Sequence, residues 1–279
     1  MTALIHTMTS LPYKQFRQNR HFYLWYDGTW ALLLLAGIGL MAATSFRGIG
    51  PEFSPWFLLA FPFVLYTQIT GHVFVHNATH KAWPRSINRL VGEICGAWVV
   101  TRFASWEVVH QRHHIYSENA EKDPHPVIPG FWRYAWRTIF TVEEQLQKAY
   151  YDSFGDTPEN RRYEKLRAVV SFGTGVLLLS FWLMLLGPAF FSAVFIPCAV
   201  LGGIFIFHFN WATHNGFSPI HDFRPVNLDH GLYWLGNRLF FGIYFHANHH
   251  KRPGVFNPRH MPNSLPIEPA HPSTEKQAA

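Results

Sequence analysis

The residues of this chain that could do chemistry are histidines. Eighteen occur in 279 residues. The informative ones fall in four groups: His76-Asn-Ala-Thr-His80, His110-Gln-Arg-His113-His114, Asn210-Trp-Ala-Thr-His214 and His246-Ala-Asn-His249-His250. Residues three or four apart share one face of a helix. His76 and His80 therefore project together, as do Asn210 and His214. In each triplet the adjacent pair is splayed by about one hundred degrees. An i, i+4 pair can chelate one ion while the neighbouring ring reaches a second. Imidazole suits iron, zinc, copper and nickel. A single His-x-x-x-His pair arises by chance on many surfaces; two His-x-x-His-His triplets with two further one-turn pairs point to metal binding. His72, one turn before His76, is expected to lie deeper and to act as a packed or supporting group. His208, His221, His230 and His260 read as ordinary residues, and His6 and His21 as interfacial ones.

Something must hold these groups around shared ions. Apolar residues make up 48% of the chain and are concentrated in four runs, about 30–46, 57–75, 168–186 and 189–209. A membrane span needs roughly 17–25 mostly apolar residues. In hydrocarbon each backbone polar group must be paired within its own segment, so the runs are expected to be helices. Arg47–Ser54 links the first two, and Gly187-Pro188 breaks the third from the fourth. This predicts an all-α integral membrane protein: four transmembrane helices in two hairpins, with a helical cap at one end holding a di-metal site.

Of the 23 Lys and Arg, Arg47 alone lies in a hairpin link. Positive-inside bias then places both termini, the cap and the metal site in the cytoplasm. The net charge of +6 has its cause in this bias and is not read as nucleic-acid binding. The two cysteines, Cys95 and Cys198, form no thiolate cluster. The N-terminus is not that of a signal peptide, and a loose tail is expected from about residue 263 to 279. Two aromatic-basic stretches, Tyr13–Tyr26 and Phe131–Phe140, are expected on the membrane surface, on the cap, or on both.

The pattern resembles the membrane fatty acid desaturase and hydroxylase superfamily. Its three histidine boxes read HNATH, HQRHH and HANHH here, and spans and boxes match in order from roughly Trp30 to Pro258. The segment after His114 runs to Asp123-Pro124-His125, similar to the Asp-Pro that follows the second box in many bacterial members, and Pro253 is similar to the Pro after the third. Lys81 departs from the small residue usual after the first box. The resemblance implies a single desaturase-like domain over 1–279. It implies one iron held by His76, His80, His110, His114 and His249, and a second held by His113, His214, His246 and His250, with Asn210 reaching it through water. No catalytic residues beyond these ligands are expected. The Asn-x-x-x-His after the fourth span is similar to stearoyl-type desaturases.

That family's chemistry predicts an oxygen-dependent desaturase or hydroxylase acting on a fatty acyl chain at the bilayer, with two iron ions and O2 as co-substrate. An unactivated C–H bond is too inert for side-chain acids and bases, so a metal must carry the hard step. No Gly-x-Gly-x-x-Gly marks a nicotinamide or flavin site. A separate electron donor is therefore expected: a ferredoxin, rubredoxin or cytochrome b5. The location expected is a bacterial inner membrane. Carotenoid ketolase or hydroxylase and terminal alkene or alkyne formation on a fatty acid are alternatives on the same scaffold. A metal transporter would carry acids near the bilayer midplane, and these spans have none.

Overall fold

A computed structural model describes residues 12–218 and 222–269. His6, His221 and the tail from 270 lie outside them. The described chain is helical: α1 (Pro12–Gln18), α2 (Phe22–Ala43), α3 (Phe57–Thr79), α4 (Asn88–Trp98), α5 (Phe103–Tyr116), α6 (Phe131–Phe154), α7 (Pro158–Leu186), α8 (Pro188–Thr213), α9 (Gly231–Leu239) and α10 (His246–Lys251). Of these, α2, α3, α7 and α8 are long and apolar enough to cross a membrane. Their outward side chains are large and bare: Leu32, Leu59, Phe63 and Phe172 are all exposed. Water would penalise such a surface, and lipid does not.

The long helices overrun the apolar runs at one end of the bundle. α2 begins eight residues before residue 30 and α7 ten before 168; α3 and α8 each continue four residues past 75 and 209. Helical hydrogen bonding does not stop where the hydrocarbon stops, so the histidine groups sit on continuations of the spans. Sequential hairpins pack crosswise, α2 along α7 and α3 along α8. At the opposite end the two links join: the amides of Ile49 and Gly50 donate to the carbonyls of Leu185 and Leu186 at 3.0 and 2.8 Å. Gly48 and Gly187 have φ of 88° and 79°, and a Cβ on Gly48 would lie 2.3 Å from the Gly187 nitrogen. Only glycine allows the backbones so close.

α4 turns back beside α3. Its Asn88 donates to the carbonyl of Ala78 at 2.8 Å, and its last residue, Trp98, accepts from Gln68 at 3.0 Å. Ten residues of α3 separate those partners, a descent of about 15 Å at 1.5 Å per residue. The turn into α5 is held from below by an ion pair. Arg102 reaches both carboxylate oxygens of the fully buried Asp27 at 2.8 and 2.7 Å, and Ser171 joins them. This ties α2, α5 and α7 together.

The expected aromatic surfaces are partly inward. Phe16, Phe22, Tyr23 and Tyr26 pack against α5 and α6, leaving Trp25 exposed. On α6, Trp132, Trp136 and Phe140 are exposed while Tyr134 is buried. The tail expected to be loose from 263 is tethered through its described part. The Leu265 amide donates to Asn248 at 2.8 Å, and that of Glu268 to the carbonyl of Asn227 at 2.8 Å. Backbone pairing with a buried asparagine overrides its polar, proline-rich composition. Asp27→Ala is expected to destabilise the protein by about 3 kcal/mol, since it strands Arg102 in a nearly closed site; thermal unfolding of Asp27→Ala beside Asp27→Asn in detergent measures it.

Candidate metal centre

Three helices end at the site. α3 brings His76 on its last turn and His80 as the residue capping its C-terminus; α8 brings Asn210 and His214 in the same way; α5 brings His110, His113 and His114 on its last two turns. Helix C-termini carry partial negative charge, so three such ends favour a cation between them. The fourth contributor, α10, is only six residues long and too short to be stable alone. It is held by Asn248 between its histidines. The Asn248 side chain accepts from Asn227 at 3.1 Å and donates to Ser264 at 2.8 Å and to the carbonyl of Pro258 at 3.0 Å.

The histidines converge as two sets. His76, His80, His110, His114 and His249 form one; His113, His214, His246 and His250 form the other, with donor atoms within 4.8 Å of one another in each. In the first, Nε2 separations are 2.8 Å for His80–His110, 3.1 Å for His110–His114 and 3.0 Å for His114–His249. In the second they are 3.2 Å for His113–His214, 3.0 Å for His214–His246 and 3.1 Å for His246–His250. A ring nitrogen either carries a proton and donates, or carries a lone pair and accepts. Imidazoles touching in series through one atom each cannot all be satisfied by hydrogen bonds. Lone pairs aimed at a shared ion satisfy them together: metal–nitrogen bonds of about 2.1 Å at right angles have an edge of about 3.0 Å. The donor set fits a pair of transition-metal ions.

The sets differ in their outer partners. His113 Nδ1 lies 2.9 Å from Asp123, which also accepts from the amides of Glu118 and His125 at 3.0 and 3.1 Å. His214 Nδ1 bonds Glu118. A carboxylate on Nδ1 fixes the tautomer that leaves Nε2 as the lone pair and raises its basicity. In the first set the contact found is a long 3.4 Å one between His76 Nδ1 and Asn77. Burial drives the imidazoles of His110, His113, His246, His249 and His250 well below their ordinary value, and neighbouring imidazoles push the same way. Neutral imidazole is the ligand form.

Asn210 donates its amide to the Tyr134 hydroxyl, leaving its carboxamide oxygen as the free end. His72, His208, His230 and His260 join neither set. His125 stacks on His113 at 4.5 Å. Glu118, Asp123, Tyr134 and Asn248 carry no helical spacing that would single them out; for Asp123 the signal was the Asp-Pro after the second box. Between α3, α5, α6 and α8 lies a cavity of about 280 Å³ whose wall includes His76, His110 and Asn210. Among the described residues no Lys, Arg, Asp or Glu lines it; Val109, Ile206 and Phe209 do.

Two predictions follow from the buried imidazoles and their carboxylates. Folded-state imidazoles held below their ordinary value of about 6.5 stay neutral while the unfolded chain takes up protons, so stability present above that pH is lost as pH falls through and below it. The thermal midpoint of metal-stripped protein is expected to fall between pH 7 and 5. Asp123→Asn is expected to lower metal affinity about 10–100-fold, as competition with a chelator reports.

The Fatty acid desaturase profile matches residues 53–264. An sn-1 oleoyl-lipid 12-desaturase of Anabaena variabilis is 31% identical over 43% of this chain and 33% of its own length. Its counterpart in Picosynechococcus sp. is 29% identical over 34% and 27%. A Delta-9 desaturase-like 5 protein of Arabidopsis thaliana is 23% identical over 70% and 66%. The matched region thus spans a third or less of the two oleoyl-lipid desaturases. No solved structure matches the chain. With the profile covering well over half of its residues, the chain belongs to the fatty acid desaturase family.

Proposed function

We propose that this protein is an oxygen-dependent, di-iron fatty acyl desaturase of the membrane. The observation that carries the reading is the uncharged cavity that meets both histidine sets' elements at His76, His110 and Asn210. His76, His80, His110, His114 and His249 would hold one iron; His113, His214, His246 and His250 would hold the other, with Asn210 reaching it through water. When bound, the pair of irons supplies oxygen activation strong enough to attack an unactivated C–H bond. The overall reaction balances as two adjacent CH2 groups, O2, two electrons and two protons giving a cis or trans CH=CH and two waters.

The chain's own residues select and protect the substrate. Val109, Ile206 and Phe209 exclude water and pack a methylene chain; the absence of a charged wall residue matches the uncharged middle of an acyl chain. Tyr134 orients Asn210 through their hydrogen bond. Asp123 and Glu118 hold His113 and His214 in the ligating tautomer. The relatives named as 12-desaturases and as delta-9 desaturase-like favour double-bond formation over hydroxylation. The two electrons come from a separate ferredoxin, rubredoxin or cytochrome b5. The four long apolar helices and the bias of Lys and Arg away from the hairpin links support a location in a bacterial inner membrane, with the centre and both termini on the cytoplasmic side.

Expression in a host lacking the activity, followed by mass spectrometry of its fatty acids, tests this. Wild type is expected to bring about two irons per chain and new unsaturated species. His113→Ala is expected to abolish the product by at least about a hundredfold. Iron-free wild type, or an unchanged lipid profile, would sink the reading.

A further inference from the structure

Two residues at the end of the cavity away from the histidines contradict their local backbone preferences. Val100 follows the C-terminus of α4. Thr101 N–H donates to the Gly96 carbonyl at 2.8 Å, and Val100 N–H to that of Ala97 at 3.4 Å. This is the helix-ending turn that glycine favours, because its φ is positive. Val100 has φ 57° and is the sole β-branched residue among the seven non-glycine residues with positive φ in the described chain. Branching at Cβ makes that conformation a true outlier. Gly203 is the converse. It lies inside α8, where alanine would be the better helix former, and a Cβ added to it would meet nothing within 4 Å; the same holds of the helical Gly28, Gly39, Gly173 and Gly175, but of these five Gly203 alone lines the cavity. No close approach explains it, unlike Gly202 beside it, whose Cβ would lie 3.1 Å from Gln68.

Both residues line the same cavity. The order of lining residues gives the cavity an axis. Along α8 the wall steps from Asn210 through Ile206 to Gly203, about 10 Å at the helical rise. Along α5 it steps from His110 through Trp106 to Ser105, then to Thr101 and Val100 in the turn. On α3 it steps from His76 to His72. All three elements put the histidine sets at one end, and Val100 and Gly203 toward the other. That end lies beside the turn that Asp27 holds through Arg102, so its position is rigid. Local rules broken at one place without structural need mark a functional constraint.

Resting on the acyl desaturase reading, the geometry points to Val100 and Gly203 as the pair that sets how far an acyl chain runs past the irons. Val100 is the stop for the methyl end, and Gly203 leaves room opposite it. Together they determine chain length and the carbon pair oxidised. Val100→Gly removes the stop and relieves the backbone, so the chain slides deeper. Three side-chain carbons removed leave room for about two methylenes. Gly203→Val fills the same end from the other side.

The experiment compares the wild type, Val100→Gly, Val100→Ala and Gly203→Val in the same expression host, with double bonds located by mass spectrometry. Thermal midpoint and iron content are measured on each purified protein. Val100→Gly is expected to keep its iron and a near-wild-type midpoint. Its double bond should move away from the methyl end by about one or two carbons, or its accepted chains lengthen by as much. Val100→Ala should move the profile part of the way, and Gly203→Val should move it in the opposite direction. An active wild type with variants that keep its profile overturns this inference alone. A wild type that carries iron but oxidises no acyl chain overturns the functional reading and this inference with it.

Discussion

Neutral imidazoles have no strong attraction for one another, yet nine of them are brought into two sets with donor atoms no more than 4.8 Å apart. That convergence is the constraint from which the rest follows. The rings must be stripped of water, kept uncharged and aimed, and each demand recruits a different part of the chain. Burial supplies the first two: His113 and His214 are fully buried, and desolvation favours neutral His113. Aim comes from helix ends, from carboxylates on Nδ1, and, for α10, from the Asn248–Asn227 pair. Three C-terminal helix ends add a field that suits cations.

The bundle serves this convergence from a distance. Continuous helices carry His76 and Asn210 out of the apolar layer without a joint, so their positions inherit the rigidity of the packed spans. The glycine contact between the two hairpin links locks the far end, and the Asp27–Arg102 pair locks the near one. Between the Asp27–Arg102 pair and the histidines lies an uncharged cavity. An apolar chain can meet the centre there without leaving a low-dielectric surrounding.

Much of this was legible in the sequence. Hydropathy marks spans because lipid forbids charge, and the histidine groups are visible because coordination demands one residue type at helical intervals. The assignment of the adjacent rings His113 and His114, and His249 and His250, to different sets came from family resemblance, and the structure groups the rings in the same way. Hydropathy could not show where α2, α3, α7 and α8 end, because a helix continues wherever its hydrogen bonds do. Nor could spacing find Glu118 and Asp123, which reach the second set from an irregular loop. Tyr134 was hidden among surface aromatics, and the fold of α4 back along α3 depends on contacts such as Asn88 with Ala78 that no periodicity encodes. Val100 looks like any other apolar residue until its φ is known.

His113 and His114 share a peptide bond, as do His249 and His250, yet in both pairs one ring belongs to each set. The two sites are thus wired together twice through single backbone units. A rotation of α5 or α10 that improved one site would drag ligands of the other out of place. An ion held by either set would stiffen both helices in the geometry that the other needs, so the first ion would meet most of the entropy of ordering. Loading should then be cooperative, with singly occupied protein scarce at equilibrium. A cell short of metal would hold a mixture of full and empty molecules rather than a uniform population of half-filled ones.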